Sequence, residues 1–339
     1  MTEVLLLMLL ALAGTALLTG LMRRYALAQA LLDIPNARSS HQGSTPRGGG
    51  LAMVVSFAVL LLVQYLLGAL DPRLLIAVLP ALLVVAGVGF WDDHRPLSAL
   101  TRIAVHFLAI AWALYWLGGT LVIALPQGPV AIGWPAQLLA LLALVWFLNL
   151  FNFMDGIDGI AAGEAVFVAF GGAWLAAMSG LGEVAAALLV LGASALGFLL
   201  WNWYPAKIFM GDVGSGFLGA ALGVVAYAGV VADGFMLWAW VILVGVFVTD
   251  ATLTLGRRVL RGERWYQAHR SHAYQRAARR WGHLRTTAGV LGINAAWLLP
   301  MALLAATNPA IGIYIAAVAY LPLILLALWL GAGISGDPA

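Results

Sequence analysis

Residues 137–159 read Q-L-L-A-L-L-A-L-V-W-F-L-N-L-F-N-F-M-D-G-I-D-G. From Gln137 to Phe153 there is no charged side chain, and the next six residues supply two aspartates and two glycines. In hydrocarbon every backbone N–H and C=O must find its partner within the segment, so an apolar run of this length is a helix crossing about 30 Å of bilayer. The stretch lacks the strict alternation of a barrel strand. It predicts a transmembrane helix that delivers Asp155 and Asp158 to the membrane boundary.

The same pattern recurs along the chain. Apolar runs at 4–22, 49–69, 74–91, 102–118, 137–153, 160–179, 184–201, 215–232, 235–254, 286–306 and 309–330 predict eleven spans. The composition agrees: 63% of the 339 residues are hydrophobic, 9% are charged and mean hydropathy is +0.99, far from the balance of a soluble domain. The expected fold is an all-α polytopic membrane protein, one domain over 1–339. Its first run leads straight into Met22-Arg23-Arg24, which reads as an anchor rather than a cleaved signal peptide. Pro80, Pro300 and Pro322 interrupt apolar runs and read as local kinks. The chain has no cysteine, which excludes disulfides, thiolate metal sites and cysteine nucleophiles.

With eleven crossings, sixteen of the seventeen Lys and Arg residues fall on one side and only Arg73 on the other. The positive-inside rule then puts the N-terminus outside and the C-terminus in the cytoplasm of a bacterial inner membrane. The larger cytoplasmic loops are 23–48, 92–101, 202–214 and 255–285. They are too short to form a nucleic-acid-binding domain, so the +3 net charge does not imply a nucleic-acid partner.

These ends also collect the acids. Asp92 and Asp93 close the third run, Asp155 and Asp158 the fifth, Asp212 sits in Phe209-Met210-Gly211-Asp212-Val213-Gly214-Ser215, and Asp250 lies a turn inside the ninth. Carboxylates crowded at a hydrocarbon boundary cannot all stay ionised unless something positive lies among them. Asn149, Asn152, Asp155 and Asp158 recur every three residues, so neighbours on a helix face offer oxygens to a hard cation or a polar ligand. Magnesium, with manganese as substitute, accepts one or two carboxylates together with waters and phosphates.

The bases complement them. Arg38, His41 and Arg47 precede Gly48-Gly49-Gly50 in the first cytoplasmic loop and suit a phosphate, although the same arginines also suit snorkelling to lipid headgroups. His269-Arg270-Ser271-His272, followed by Arg276, suits a diphosphate better than a zinc ion, since no metallopeptidase glutamate accompanies the histidines. Lys207, the single lysine, lies five residues before Asp212 and suits neutralising that carboxylate, contacting a phosphate or anchoring at the interface. Acids for a hard metal and bases for phosphates at a lipid boundary point to phosphoryl transfer between a soluble nucleotide and a membrane-bound acceptor.

Asp92-Asp93, the segment Asn149 to Gly159, Phe209 to Ser215 and the His269-to-His272 segment together resemble the polyprenyl-phosphate N-acetylhexosamine-1-phosphate transferases. The resemblance implies transfer of a sugar 1-phosphate from a UDP-N-acetylhexosamine to undecaprenyl phosphate at the cytoplasmic face, releasing UMP. It implies Asp92 and Asp93 beside the acceptor phosphate and Asp212 as a magnesium ligand. Asp155, Asp158 and Asn152 would line the nucleotide-sugar site, with the histidine segment over the diphosphate. We accordingly expect catalytic roles for Asp92, Asp93, Asp155, Asp158, His269 and His272, and metal ligation by Asp212 and Asp155. Substrate contacts are expected from Arg38, His41, Arg47, Asn149, Asn152, Lys207, Arg270 and Arg276.

The muramoyl-pentapeptide enzymes carry three consecutive histidines where this chain has His269-Arg270-Ser271-His272-Ala273-Tyr274-Gln275-Arg276. That departure is similar to the branch that starts O-antigen and other surface polysaccharides with N-acetylglucosamine, N-acetylfucosamine or N-acetylquinovosamine. Partners are then those two substrates and the bilayer, with a homodimer left open. The competing class, a transporter of a lipid-linked sugar or phosphorylated metabolite, wants polar residues along a mid-membrane path, whereas here they crowd at one set of helix ends.

Overall fold

A computed structural model describes residues 2–33, 44–263 and 270–334. Its helices are α1 (Thr2–Ala28), α2 (Leu51–Leu66), α3 (Pro72–His94), α4 (Ala99–Leu117), α5 (Trp134–Phe153), α6 (Ile160–Met178), α7 (Gly182–Asn202) and α8 (Asp212–Ala232). They continue with α9 (Leu237–Leu243), α10 (Gly245–Leu260), α11 (Ala273–Trp281), α12 (His283–Ile293), α13 (Leu299–Thr307) and α14 (Gly312–Trp329). Two antiparallel pairs interrupt them: β1 (Leu32–Asp33) with β2 (Thr45–Pro46), and β3 (Leu121–Leu125) with β4 (Gly128–Ile132).

Among the described residues nine helical spans are long and apolar enough to cross a membrane, with α12 and α13 joined as one, and α9 plus α10 make a tenth if counted together. Two of the eleven expected spans depart from a single long straight helix. The run 49–69 yields only sixteen helical residues. Gly49 and Gly50 direct their N–H groups at the carbonyls of Phe209 and Met210, and Gly68 turns the chain at φ +70°. The run 235–254 breaks between Leu243 and Gly245 with a bend of 73°. Leu298 and Leu323 press into the space beside Gly245, 3.2 and 3.1 Å from where a Cβ would lie.

Loop limits shift too. Asp92 and Asp93 belong to the last turn of α3 rather than to a loop, Arg23 and Arg24 ride on α1, and the 255–285 region contains α11. The connection 119–136 contains the β3–β4 hairpin. Helices α3 and α14 run on through Pro80 and Pro322, while a π-turn at Asn294–Leu298 precedes Pro300 and accommodates the N–H it lacks.

At the centre stands α8, nearly all of it buried, packed along α3 and α5 and touched by α2, α4, α6 and α7. Lipid tails are as apolar as leucine, so such helices associate through close van der Waals fit. Gly89 shows how close: a Cβ there would lie 2.5 Å from the Asp212 carbonyl oxygen. That contact seats the carboxylate end of α3 directly against the first turn of α8. Outward faces of α1, α4, α5 and α14 carry exposed large apolar side chains such as Leu17, Tyr115, Leu139 and Leu325, as a lipid-facing surface requires.

Candidate active site

The chain enters α8 through Gly211, at φ +76°, where a Cβ would lie 2.6 Å from an Asp93 carboxylate oxygen. Without a side chain there, Asp93 reaches the open end of α8. Its Oδ1 accepts the N–H of Asp212 at 3.0 Å and its Oδ2 the N–H of Val213 at 3.1 Å. A buried carboxylate thus caps a helix that its own helix does not contain, satisfying two of the four donors a helix start leaves over. The Arg47 guanidinium donates to the Asp93 backbone carbonyl, tying the entry to α2 to the same corner.

Asp212, the first residue of α8, turns its carboxylate outward. Oδ1 accepts from the Asn152 amide at 2.9 Å, and the same amide nitrogen lies 2.9 Å from the Ser215 hydroxyl. Oδ2 lies 3.3 Å from the Arg102 guanidinium, which also meets Asp92 at 2.5 Å. Asp92 further accepts the N–H of Leu97 at 2.5 Å. It is therefore occupied by the α3–α4 turn and by Arg102, while Asp93 faces the opening.

That opening is a cleft of about 250 Å³ lined by Asp33, Arg47, Asp93, Asn152, Asp155 and Asp158, the Phe209–Asp212 segment, Ser215, Asn202, Gln275 and His283. Asp158 is fixed at its edge: Oδ2 accepts the N–H of Ala206 at 3.0 Å, and Oδ1 lies 3.3 Å from His283 Nδ1. Asp155, in the link between α5 and α6, has part of its surface in the cleft but sits deep in the surrounding chain. Burial, and then the negative charges of Asp212, Asp93 and Asp158, push its carboxyl up to about 7. Burial and like charge both disfavour its ionised form.

Among the described residues no three His, Asp or Glu side chains are already gathered as a metal cage. The donor set still fits a hard cation, because magnesium needs only one or two carboxylates when waters and phosphates complete its shell. Asp155 and Asp212 line one cleft and repel each other.

Of the residues expected from sequence, the structure brings Asp93, Asp155, Asp158, Asp212, Asn152 and Arg47 together. Asn149 lies behind them, in a small chamber of about 40 Å³ shared with Arg102, His106, Asn152 and Asp212. Four residues stand elsewhere. The Lys207 ammonium lies 5.6 Å over the Trp201 ring, Arg270 is exposed outside the cleft, and Arg276 donates to the Ile334 carbonyl at 2.5 Å. His272 is buried with its Nδ1 3.2 Å from Asp250, whose carboxylate accepts the N–H groups of Ala273 and Tyr274. Arg38, His41 and His269 lie outside the described residues. The sequence reading missed Arg102, Ser215, Asn202, Gln275, Asp33 and His283. Arg102 carried a signal, since a four-residue link between α3 and α4 sets it beside Asp92.

The fold and cleft define a polytopic membrane protein whose polar residues converge where helix ends meet. Glycosyl transferase family 4 matches residues 75–230. The chain is 30% identical over 265 residues to the probable undecaprenyl-phosphate N-acetylglucosaminyl 1-phosphate transferase of Bacillus subtilis (strain 168), covering 77% of this chain and 73% of that one. It is 36% identical over 211 residues to the phospho-N-acetylmuramoyl-pentapeptide-transferase of Moorella thermoacetica, 57% of this chain and 64% of that one. It is 34% identical over 231 residues to the decaprenyl-phosphate N-acetylglucosaminephosphotransferase of Mycolicibacterium smegmatis, 60% of this chain and 55% of that one. The chain belongs to the polyprenyl-phosphate sugar-1-phosphate transferase family. Both N-acetylglucosamine and muramoyl-pentapeptide types stand among these relatives, and the comparison favours neither.

Proposed function

We propose that the protein transfers an N-acetylhexosamine 1-phosphate from a UDP-sugar to undecaprenyl phosphate, releasing UMP and starting a lipid-linked surface polysaccharide. The observation that carries this reading is the acid-rich cleft, where Asp93, Asp155, Asp158 and Asp212 meet at helix ends beside Asn152 and Arg47. Asp155 and Asp212 would hold magnesium, or manganese in its place. The ion would supply charge neutralisation for the diphosphate and for the charge developing in the transfer. Asp93 holds the first turn of α8 in place, so the Asp212 carboxylate is already aimed when substrate arrives. Arg102 sits between Asp92 and Asp212, where it offsets repulsion and meets an acceptor phosphate approaching from the lipid side. No side chain need deprotonate that acceptor, because a phosphomonoester with its second pKa near 6 is largely ionised at neutral pH.

The His269-to-Arg276 pattern supports N-acetylglucosamine, N-acetylfucosamine or N-acetylquinovosamine over the pentapeptide substrate. Counting α2 and the bent α9–α10 pair as crossings sorts the basic residues to the cleft's side, which supports a cytoplasmic cleft and C-terminus in a bacterial inner membrane and an outer N-terminus. Purified protein given undecaprenyl phosphate and each UDP-N-acetylhexosamine in turn tests the proposal. Formation of a diphospholipid with one of the three named sugars is expected. Turnover confined to the muramoyl-pentapeptide nucleotide would overturn the sugar assignment.

A further inference from the structure

Among the described residues, the imidazole that lines the cleft is His283, which the sequence motifs do not single out. Gly282, at φ +82°, turns the chain out of α11, and His283 opens α12. Its ring lies edge-on to Tyr204 with centroids 6.2 Å apart and forms part of the cleft wall together with Asp155, Asp158 and Gln275. Nδ1 lies 3.3 Å from Asp158 Oδ1. One turn later Thr287 donates to the Asp158 carbonyl at 2.9 Å. The first turn of α12 is therefore stitched at two points to the link that carries Asp155, and the imidazole is fixed relative to the acids. His272 has the opposite placement, with its side chain 3% exposed and its ring against Asp250.

Resting on the transfer reaction proposed above, we propose that His283 contacts the sugar nucleotide. Nδ1 accepts the Asp158 backbone N–H at 3.5 Å, which fixes the tilt of the ring and leaves the proton of the neutral imidazole on Nε2. Nε2 then donates a hydrogen bond to a diphosphate oxygen. In the transfer, an acceptor phosphate oxygen bonds to the sugar-bearing phosphorus as the P–O bond to the bridging oxygen breaks. The bridging oxygen leaves with the electron pair as part of UMP, and no proton is transferred. A donor aimed at those oxygens strengthens as their charge grows. Among the described residues the cleft turns four carboxylates of its central cluster toward a substrate that is itself anionic, and His283 adds a fixed imidazole to the wall alongside Arg47, Asn152 and Gln275.

Two substitutions separate the ring's ends. His283→Asn keeps an acceptor at the Nδ1 position, for the Asp158 backbone N–H, and loses the Nε2 end. His283→Gln places an amide near the Nε2 position. With UDP-N-acetylglucosamine or the preferred UDP-sugar and undecaprenyl phosphate varied separately, His283→Asn should lower kcat/KM for the sugar nucleotide by about 10²-fold. The KM for the acceptor should stay within about twofold and Tm should be unchanged, as for a lost substrate contact rather than a lost fold. His283→Gln should recover about tenfold of that loss. Equal activity of the two variants, near-wild-type turnover by His283→Asn, or losses that track a fall in Tm would each overturn the proposal. A wild-type protein that transfers from no UDP-sugar would instead overturn the parent reading.

Discussion

Asp93 and Asp250 perform the same backbone task in two corners of the molecule. Each is buried, and each accepts the first two N–H groups of a helix that begins far away in sequence: α8 for Asp93, α11 for Asp250. What precedes each helix separates them. Before α8 stands Gly211, with no side chain, and α8 then opens with a second carboxylate, Asp212, which faces the cleft. Before α11 stands His272, whose ring closes over Asp250, while Thr254 takes part of the same carboxylate at 3.0 Å. One corner turns further carboxylates to a polar cleft, and at the other the carboxylate is taken up by its own neighbours. A buried aspartate is thus a clamp in both places, and its neighbours decide whether it also borders a reaction site.

The comparison is broken most sharply at Asp212. Replacing it by Asn keeps the size, so the protein should still fold, and transfer should fall by roughly three orders of magnitude, as several kcal/mol of lost charge stabilisation implies. Turnover near wild type would move the metal to Asp155 and Asp158.

The two clamps are expected to fail differently. Asp93→Asn should lower transfer by about 10²-fold, with the larger change in the acceptor's kinetics, because the aim of α8 is disturbed beside the cleft. Asp250→Ala leaves buried donors unpaired and should lower Tm by about 5–10 °C, while the protein that remains folded transfers at a rate within a few-fold of wild type. Rates measured alongside thermal unfolding check both, and a pure activity loss at Asp250 would erase the distinction.

Asp155 sharpens the contrast through pH. Its carboxyl is raised to about 7 by burial and the surrounding acids, so between the ordinary carboxylate range and pH 7 the folded protein keeps a proton that the unfolded chain has released. Stability should therefore decline as pH rises through that window and level off above it. Asp155→Asn should flatten the decline by about 2–4 °C in Tm. Added magnesium should stabilise the wild type more at pH 8 than at pH 5. An identical pH profile in the variant would contradict this origin.

The smallest effect is expected at Arg276, whose guanidinium holds the Ile334 carbonyl outside the cleft. Arg276→Ala should cost about 1–2 kcal/mol of stability and change turnover by less than about threefold.

Hydrophobic runs made most of the helices legible, since lipid demands long apolar segments regardless of what packs beside them. The break at Val244 was not legible, because it depends on Leu298 and Leu323 pressing on Gly245 from other helices. At the site, Asp155, Asp158, Asp212 and Asn152 were visible because polar residues at apolar run ends are conspicuous. The split between Asp92 and Asp93 was visible only as two directions about 100° apart on a helix. Which of them meets Arg102 and which caps α8 is set by α4 and α8. His272 misled for the same reason: a histidine motif carries no sign of the distant Asp250 that engages it, and nothing around His283 marks Asp158 as its partner.

The central claim is that the corner at Asp212 uses a divalent cation to move a sugar phosphate. UDP-N-acetylhexosamine labelled with 32P in the phosphate attached to the sugar tests it most directly, with undecaprenyl phosphate as acceptor and wild type and Asp212→Asn compared with magnesium and with EDTA. The label should enter the lipid fraction only with wild type and magnesium, and return when magnesium is restored after EDTA. Undiminished transfer of label in EDTA, or by Asp212→Asn, would contradict it.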